Sequence, residues 1–189
     1  MDKNGIIEKL SATLKTKDYP DANAAVLVLL RATDKEFQVL LVKRAEKSND
    51  PWSGQIAFPG GKRDSEDKDL QETMIRETLE ETGINIVEGC RFLGVMEPVR
   101  STRRPEMKIL PIYVLQEKEQ DIKLNEELTE YFWTPLKELD HNKGFFKYRF
   151  QDFPAFIIGS NVIWGLTYRI LQNLLSLLSS FEEETQREA

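Results

Sequence analysis

Glu77, Glu80 and Glu81 are the residues of this chain whose type and spacing best suit a chemical role. On a helix, positions three and four apart lie on one face, so the three carboxylates would be neighbours. Like charges at this spacing repel one another by roughly 0.2–0.5 kcal/mol per pair, and a bound cation would offset that repulsion. The alternative interpretation is a solvated helix face of ordinary surface charge.

The composition restricts any metal chemistry to carboxylates. The chain has a single cysteine, Cys90, and a single histidine, His141, which excludes an intrachain disulfide and a multi-cysteine zinc site. His141 lies between Asp140 and Asn142 and is interpreted as a turn residue. Carboxylate oxygens are hard ligands, so the expected ion is Mg²⁺ or Mn²⁺.

The acidic residues fall within a predicted helix over 69–82, which ends where Gly83 follows. Ile75 and Leu79 project roughly opposite the glutamates, so we expect these two side chains to form the buried face of the helix. The three carboxylates would then face a cleft.

Strands are predicted on both sides of this helix, with a Gly60-Gly61 pair just before it, where backbone can approach a ligand closely. The first two strands are expected to pair as a hairpin. A long amphipathic helix is predicted to close the chain, followed by a frayed charged tail. The principal predicted strands cover 24–30, 37–45, 90–99 and 107–116, and the final helix covers 161–181.

The segment from Phe58-Pro-Gly-Gly to Arg76-Glu-x-x-Glu-Glu-x-Gly-Ile resembles the Nudix box, Gly-x5-Glu-x7-Arg-Glu-U-x-Glu-Glu-x-Gly-U, with U aliphatic. Asp67 stands where the family has Glu, eight residues rather than seven then precede Arg76, and Thr78 takes the first aliphatic position. With these departures the segment is similar to the coenzyme A pyrophosphatase branch of the family, which carries Gly-Gly-x-x-Asp-x-x-Asp. Here "GGKRDSED" supplies Asp64 and Asp67 at the two aspartate positions.

The resemblance implies an α+β Nudix fold, a mixed β-sheet sandwiched between helices (α/β/α), as one domain over 1–189 with the box at 61–84. It implies hydrolysis of a pyrophosphate bond in a nucleoside diphosphate derivative with Mg²⁺ or Mn²⁺ as cofactor. The implied metal ligands are Glu77, Glu80, Glu81 and the Gly60 carbonyl. Arg76 is implied to orient the acidic cluster.

The identity of the general base and the role of Asp67 stay open. The general base is expected from Glu127 or its neighbour Glu126, or from a glutamate of the box, and the alternative for the first two is an exposed acidic loop. Asp67 is a weaker candidate for the metal site, where it would contact the metals through water.

Arginines and aromatic residues are the candidates for substrate binding. Guanidinium groups match phosphate geometry, although three of the four arginines fall in one loop that could equally be solvated. Trp52, Phe58 and Tyr113 could stack on a base, and we expect Phe58 and Tyr113 to lie in the core instead. The candidate phosphate-binding residues are Arg44, Arg100, Arg103 and Arg104.

The substrate stays open between coenzyme A or its thioesters and another nucleotide, such as ADP-ribose, a dinucleotide polyphosphate or a nucleoside triphosphate. The upstream signature of the coenzyme A branch is matched at Leu40-Leu41, Ala45, Gly54 and Phe58 to Gly61. Val42 replaces its Thr, the segment is one residue longer, and Asn49 or Asp50 holds its Arg position. A third hypothesis is a silent Nudix-fold module that binds a nucleotide, which the intact glutamates argue against.

Bulk properties set the remaining expectations. A net charge of −6 argues against general nucleic-acid binding and against binding to an acidic membrane surface. The chain shows no secretory signal and no uninterrupted apolar stretch long enough to span a membrane, so a cytoplasmic location is expected. The leucine-rich C-terminal helix is interpreted as core packing, with a homodimer interface left open.

Overall fold

The computed structural model describes residues 2–17, 19–48, 50 and 52–187. Within these residues the chain forms four helices, with groups of strands between them along the sequence. The helices are α1 (Lys3–Thr13), α2 (Leu70–Thr82), α3 (Leu136–His141) and α4 (Gly165–Arg187). The strands are β1 (Ala24–Ala32), β2 (Phe37–Arg44), β3 (Ile56–Ala57), β4 (Gly60–Lys62), β5 (Cys90–Val95), β6 (Val99–Arg100), β7 (Lys108–Gln116), β8 (Leu128–Pro135), β9 (Lys143–Tyr148), β10 (Gln151–Ile158) and β11 (Asn161–Trp164).

A mixed sheet forms the centre of the molecule, with the strand order β3-β2-β1-β7-β5. Strands β1 and β7 pair in parallel, whereas β1 and β2 form the predicted antiparallel hairpin. The short strand β4 also pairs with β1, β6 pairs with β7, and β8 pairs with β2. The hairpin prediction is therefore confirmed.

Both faces of the central sheet are covered, which explains why β1 and β7 read as continuous apolar runs. Alternate residues of β1 enter opposite clusters: Val28 and Leu30 join the side of α1, α3 and α4, and Leu27 and Leu29 join the side of α2. Tyr113 of β7 is fully buried on the first side. The predicted α/β/α arrangement is confirmed.

The end of the chain differs from the prediction of a helix over 161–181. Asn161–Trp164 is strand β11, which pairs with β10 and, through it, with β9 in a second, antiparallel sheet. Helix α4 follows β11 directly and begins at Gly165, which has a φ of 65°. The tail predicted to fray is helical as far as Arg187, and the leucines of α4 pack in the core, as expected.

Helix α2 begins and ends as predicted but buries a different face. The Asp69 carboxylate accepts a hydrogen bond from the Glu72 N–H, and Gly83 ends the helix with a φ of 71°. The prediction that Ile75 and Leu79 form the buried face was wrong for Leu79, which is 50% exposed, whereas Ile75 is partly buried against the core. The buried residues of α2 are Leu70, Thr73, Met74, Thr78, Glu81 and Thr82. Glu81 therefore points toward the core side, not outward with Glu80.

None of the helices in the described part of the chain combines the length and the hydropathy that a membrane span requires.

Candidate active site

A cavity of about 530 Å³ lies between α2 and the glycine pair of β4. Glu77, Glu80 and Glu81 all line it, together with Gly60 and Gly61. Strand β4 is held beside β1 by pairing of Gly60 with Val26 and of Gly61 with Ala25. The structure thus brings the predicted metal-binding residues to one cavity.

The two glycines have different reasons to lack a side chain. A Cβ at Gly60 would overlap the Ala25 carbonyl oxygen, and its φ of 137° is strained for any other residue. A Cβ at Gly61 would lie 2.5 Å from the carboxylate carbon of Glu77. Gly60 therefore permits the close approach of β4 to β1, and Gly61 leaves room for Glu77.

Glu81 is the most buried of the three glutamates, at 4% exposed. Its Oε2 accepts a hydrogen bond of 2.8 Å from the Gly60 N–H. Burial raises the pKa of Glu81 to about 7, against the lowering effect of that hydrogen bond, and the charge of Glu77 adds to the rise. The carboxylate is therefore held in place with its negative charge only partly compensated.

Glu77 and Glu80 share one cation, Arg76. Arg76 Nη1 lies 3.0 Å from Glu77 Oε1 and 3.3 Å from Glu80 Oε2. Burial raises the pKa of Glu77, and the hydrogen bond from Arg76 opposes that rise. The Glu80 side chain is 57% exposed, so the three carboxylates are graded from buried to solvated.

Asp67 holds Arg76 from the opposite side. Arg76 Nε and Nη2 each lie 3.0 Å from an Asp67 carboxylate oxygen, and Thr73 Oγ1 and the Asp64 N–H also donate to Asp67, each at 2.9 Å. These donors, chiefly Arg76, hold the pKa of Asp67 far below its usual range. Because the carboxylate is occupied by the chain itself, the contacts favour a positioning role for Asp67 over a link to metal through water.

The donor set fits a hard divalent cation. Among the described residues, no three histidine, cysteine or acidic side chains converge as a ready-made metal site. Glu77 and Glu81 are nevertheless two desolvated carboxylates with raised pKa values beside one cavity. A divalent cation compensates such a pair, and oxygen ligands suit Mg²⁺ and Mn²⁺.

The four candidate phosphate-binding arginines are placed differently. Arg44 and Arg103 line the cavity, and Arg44 donates from Nε and Nη2 to Asp50 Oδ2 at 3.0 and 2.8 Å. Arg100 is not among the lining residues, and its carbonyl accepts a hydrogen bond from Arg169. Arg104 reaches the cavity indirectly, because its guanidinium lies 5.2 Å from the ring of Trp52, which is a lining residue.

Glu127 lines the cavity, whereas Glu126 does not line it. The loop that carries both is bonded to the end of α2 through the Asn125 N–H and the Glu81 carbonyl. The Glu127 N–H donates to Asn125 Oδ1, and the Glu127 carboxylate lies 3.8 Å from Lys47 Nζ. Its charge contributes to the raised pKa values of Glu77 and Glu81, so its carboxylate lies near theirs.

The aromatic candidates separate as expected. Phe58 and Tyr113 are buried in the core, which confirms that prediction, and Trp52 lies at the cavity. His141 is the last residue of α3. Asn49, one of the two residues at the missing arginine position of the upstream signature, lies outside the described residues.

The C-terminal segment also contributes to the cavity, which the sequence did not predict. Trp164, Leu166 and Thr167 line it, and the Thr167 hydroxyl donates to the Ile56 carbonyl at 2.9 Å. Trp164 belongs to β11 and Leu166 and Thr167 to the first turn of α4, so their placement at the cavity depends on the pairing of β11 with β10.

Comparison with known proteins identifies the family. A model of the NUDIX domain matches residues 21–152. The mitochondrial coenzyme A diphosphatase NUDT8 of Homo sapiens is 32% identical over 179 residues, which cover 89% of this chain and 74% of that protein. The peroxisomal coenzyme A diphosphatase ndx-8 of Caenorhabditis elegans is 32% identical over 126 residues, 65% of this chain and 53% of that protein.

Solved structures support the same fold. The binary complex of a C. elegans Ap4A hydrolase has a TM-score of 0.56 at 18% identity, covering 86% of this chain and 98% of that one. A MutT/nudix family protein from Enterococcus faecalis has a TM-score of 0.53 at 18% identity, and the match covers 90% of this chain and 72% of that one. The sequence match and the fold agree with the acidic helix and its glycine pair: this chain belongs to the Nudix family and is a Nudix pyrophosphohydrolase.

Proposed function

We propose that this enzyme depends on Mg²⁺ or Mn²⁺ and that its substrate is coenzyme A or a coenzyme A thioester, cleaved at the pyrophosphate bond. The observation that carries the metal dependence is the meeting of Glu77, Glu80 and Glu81 at one cavity beside Gly60. The substrate assignment is supported by the similarity to proteins named coenzyme A diphosphatases and by the Asp64 and Asp67 pattern.

The three glutamates and the Gly60 carbonyl are the residues that would hold the ion. When bound, a divalent cation supplies positive charge to the phosphate oxygens and acidifies the attacking water. Arg76 keeps Glu77 and Glu80 in position, and Asp67 keeps Arg76 in position through two hydrogen bonds.

The remaining steps use side chains around the cavity. Glu127 accepts the proton of the water whose oxygen attacks one phosphorus, and the bond from that phosphorus to the bridging oxygen breaks. Arg103, and Arg44 despite its ion pair with Asp50, bind phosphate oxygens that are not attacked.

Replacement of Glu127 tests its role as the base. Glu127→Gln removes the proton acceptor and is expected to lower kcat by about 10²–10⁴ with little change in KM. Glu126→Gln changes the neighbouring exposed carboxylate and serves as the matched control. Equal kcat values for the two variants would assign the base elsewhere.

The substrate is tested by mass spectrometry of products after incubation with Mg²⁺ or Mn²⁺. The panel contains coenzyme A, ADP-ribose, diadenosine polyphosphates, NADH and nucleoside triphosphates, with the Glu81→Gln variant run alongside. Adenosine 3′,5′-bisphosphate with 4′-phosphopantetheine, formed only by the unmodified enzyme, is the expected result. AMP with ribose 5-phosphate as the main products would instead identify an ADP-ribose hydrolase and overturn the proposed substrate.

The cytoplasmic location expected from the sequence is kept as a proposal. Relatives with this similarity carry mitochondrial and peroxisomal names, so cell fractionation of the native protein is the relevant measurement. Recovery in an organelle fraction would overturn it.

A further inference from the structure

A second cavity, of about 810 Å³, adjoins the acidic one and is unused by the proposed chemistry. Gln55, Ile56, Arg103 and Trp164 line both cavities and form their common wall. The second cavity therefore lies directly beside the one that carries the glutamates.

Aromatic rings of the second sheet cover one side of this cavity. Phe146 and Tyr148 of β9 and Trp164 of β11 lie on the same face of the sheet, with ring centroids 5.0 to 6.4 Å apart. The opposite face carries Phe156 and Ile163, which pack in the core. The three half-buried rings thus offer a stacking surface that is not required to fill the core.

Positive charge accompanies the rings. The Arg103 guanidinium lies 5.0 Å from the Tyr148 ring centroid and 5.3 Å from that of Trp164, and the Arg149 guanidinium lies 5.5 Å from Tyr148. Lys43 also lines the cavity but is paired with Glu130 at 3.1 Å, and Asp50 is the one acid among the described lining residues. Asp50 is paired with Arg44, so the cavity favours an anionic ligand.

We infer that this aromatic and cationic cavity binds the nucleoside half of the substrate, a purine ring that carries a phosphate on its ribose. Flat π-systems stack on aromatic side chains and guanidinium planes, and guanidinium groups also bind phosphate. The non-aromatic pantetheine arm would make neither kind of contact. The inference rests on the proposed function, because it assigns the two halves of that substrate.

Calorimetric titration in EDTA tests the assignment without hydrolysis. The probes are adenosine 3′,5′-bisphosphate and 4′-phosphopantetheine, added separately to the full chain. Tyr148→Leu removes a ring of the cavity, and Arg149→Gln removes an exposed cation, so the second variant is expected to fold in any case. Phe145→Leu and Lys147→Gln are matched controls, because both residues belong to β9 and neither lines the cavity.

The expected result is a Kd for adenosine 3′,5′-bisphosphate about tenfold higher in each cavity variant and unchanged in the controls. The Kd for 4′-phosphopantetheine should be the same in all five proteins. An equal bisphosphate Kd throughout, no bisphosphate binding by the unmodified chain, or weakening of 4′-phosphopantetheine binding by the cavity variants would each overturn the inference. Failure to hydrolyse coenzyme A would overturn the proposed function alone, since this titration measures no hydrolysis.

Discussion

At the scale of single residues, the site depends on how each carboxylate is compensated. Asp67 has its cation and its donors within the chain, and Glu80 is largely solvated. Glu81 is buried with one backbone N–H as its donor and a pKa raised to about 7. Asp67 is therefore expected to stabilise the fold, whereas Glu81 is expected to destabilise it when no cation is bound.

Asp67→Asn should destabilise the protein, because it removes the carboxylate charge that faces Nε and Nη2 of the partly buried Arg76 and leaves only Nη1 paired with carboxylates. The expected loss at pH 7 is on the order of 3 kcal/mol of unfolding free energy. The pKa of Asp67 is lowered in the folded state, so its contribution is present above the unfolded value of about 4 and is lost as pH falls below it.

Thermal unfolding at pH 7 and pH 3 measures this effect. Asp64→Asn is the matched control, because Asp64 is exposed and its carboxylate is bonded only to its near neighbours. A Tm for Asp67→Asn equal to that of the control at pH 7 would contradict the assigned role.

Glu81→Gln should abolish hydrolysis and yet stabilise the metal-free protein at pH 8. The folded pKa of about 7 exceeds the ordinary value of 4.5, so the folded chain binds the extra proton between these values and loses stability as pH rises through them. The glutamine has no charge to desolvate and still accepts the Gly60 N–H. The expected gain at pH 8 is on the order of 3 kcal/mol, and it disappears below about pH 4.

Thermal unfolding in EDTA across this pH range measures the gain, and Glu80→Gln, at the solvated carboxylate, should show almost none. A lower Tm for Glu81→Gln at pH 8 would contradict the account of its raised pKa.

At the scale of elements, the strand carrying the glycine pair and helix α2 must approach each other closely for the site to exist. Gly60 faces backbone of β1, and Gly61 faces the flexible end of Glu77. The two glycines are adjacent in sequence but serve different purposes. Gly60 is needed for β4 to pack against β1, and Gly61 is needed for the Glu77 carboxylate to keep its position.

Alanine substitution should separate these two requirements. Gly60→Ala is expected to prevent folding or to lower stability by several kcal/mol, because a backbone clash is combined with a strained φ. Gly61→Ala should lower stability by about 1 kcal/mol at most, since Glu77 can move, and should lower kcat at least tenfold because Glu77 is displaced. Circular dichroism and initial rates measure both. A folded, inactive Gly60→Ala together with an active Gly61→Ala would contradict this division.

The elements also show which parts of the structure can be predicted from sequence. Helix α2 was predictable because Asp69 and Gly83 mark its ends chemically. Its buried face was not, because threonines and a glutamate take core positions while Leu79 is exposed. Strand β11 was read as helix because its apolar residues run directly into those of α4, and only pairing with β10 distinguishes them.

The site shows the same limit. The glutamates and glycines were predictable because their spacing along one segment fixes their geometry. Which of Arg100, Arg103 and Arg104 enters the cavity depends on how a loop is directed, and no local pattern encodes this. The ion pair of Arg44 with Asp50 likewise forms only once strand β2 and the following loop are folded.

At the scale of the whole molecule, the two sheets meet where the two cavities adjoin. Strand β3 belongs to the central sheet and contacts β11 of the second sheet. The hydrogen bond from Thr167 Oγ1 to the Ile56 carbonyl ties the start of α4 to β3 in a buried position. This bond holds the C-terminal segment against the side of the molecule that carries the glutamates.

Thr167→Val should remove that bond at nearly constant shape. The Ile56 carbonyl loses its donor, so the expected cost is about 1–2 kcal/mol, with KM raised severalfold because the wall between the cavities is less firmly held. Thr185→Val is the matched control, since Thr185 donates to the Phe181 carbonyl within α4, away from the cavities. Thermal unfolding and steady-state kinetics measure both variants. Equal changes in Tm and KM for the two substitutions would argue against a role for the Thr167–Ile56 hydrogen bond in holding the wall between the cavities.

Trp164 and its neighbours in β11 lie beyond residue 152, where the match to the family model ends, whereas all three glutamates and Gly60 lie within it. The residues assigned to hydrolysis and some of those assigned to substrate recognition therefore fall in successive stretches of the chain, although α4 packs its leucines into the core that both stretches share. Exchange of the C-terminal stretch with that of another Nudix protein would therefore have to keep the Thr167 bond and the α4 leucines while the residues that line the second cavity are changed.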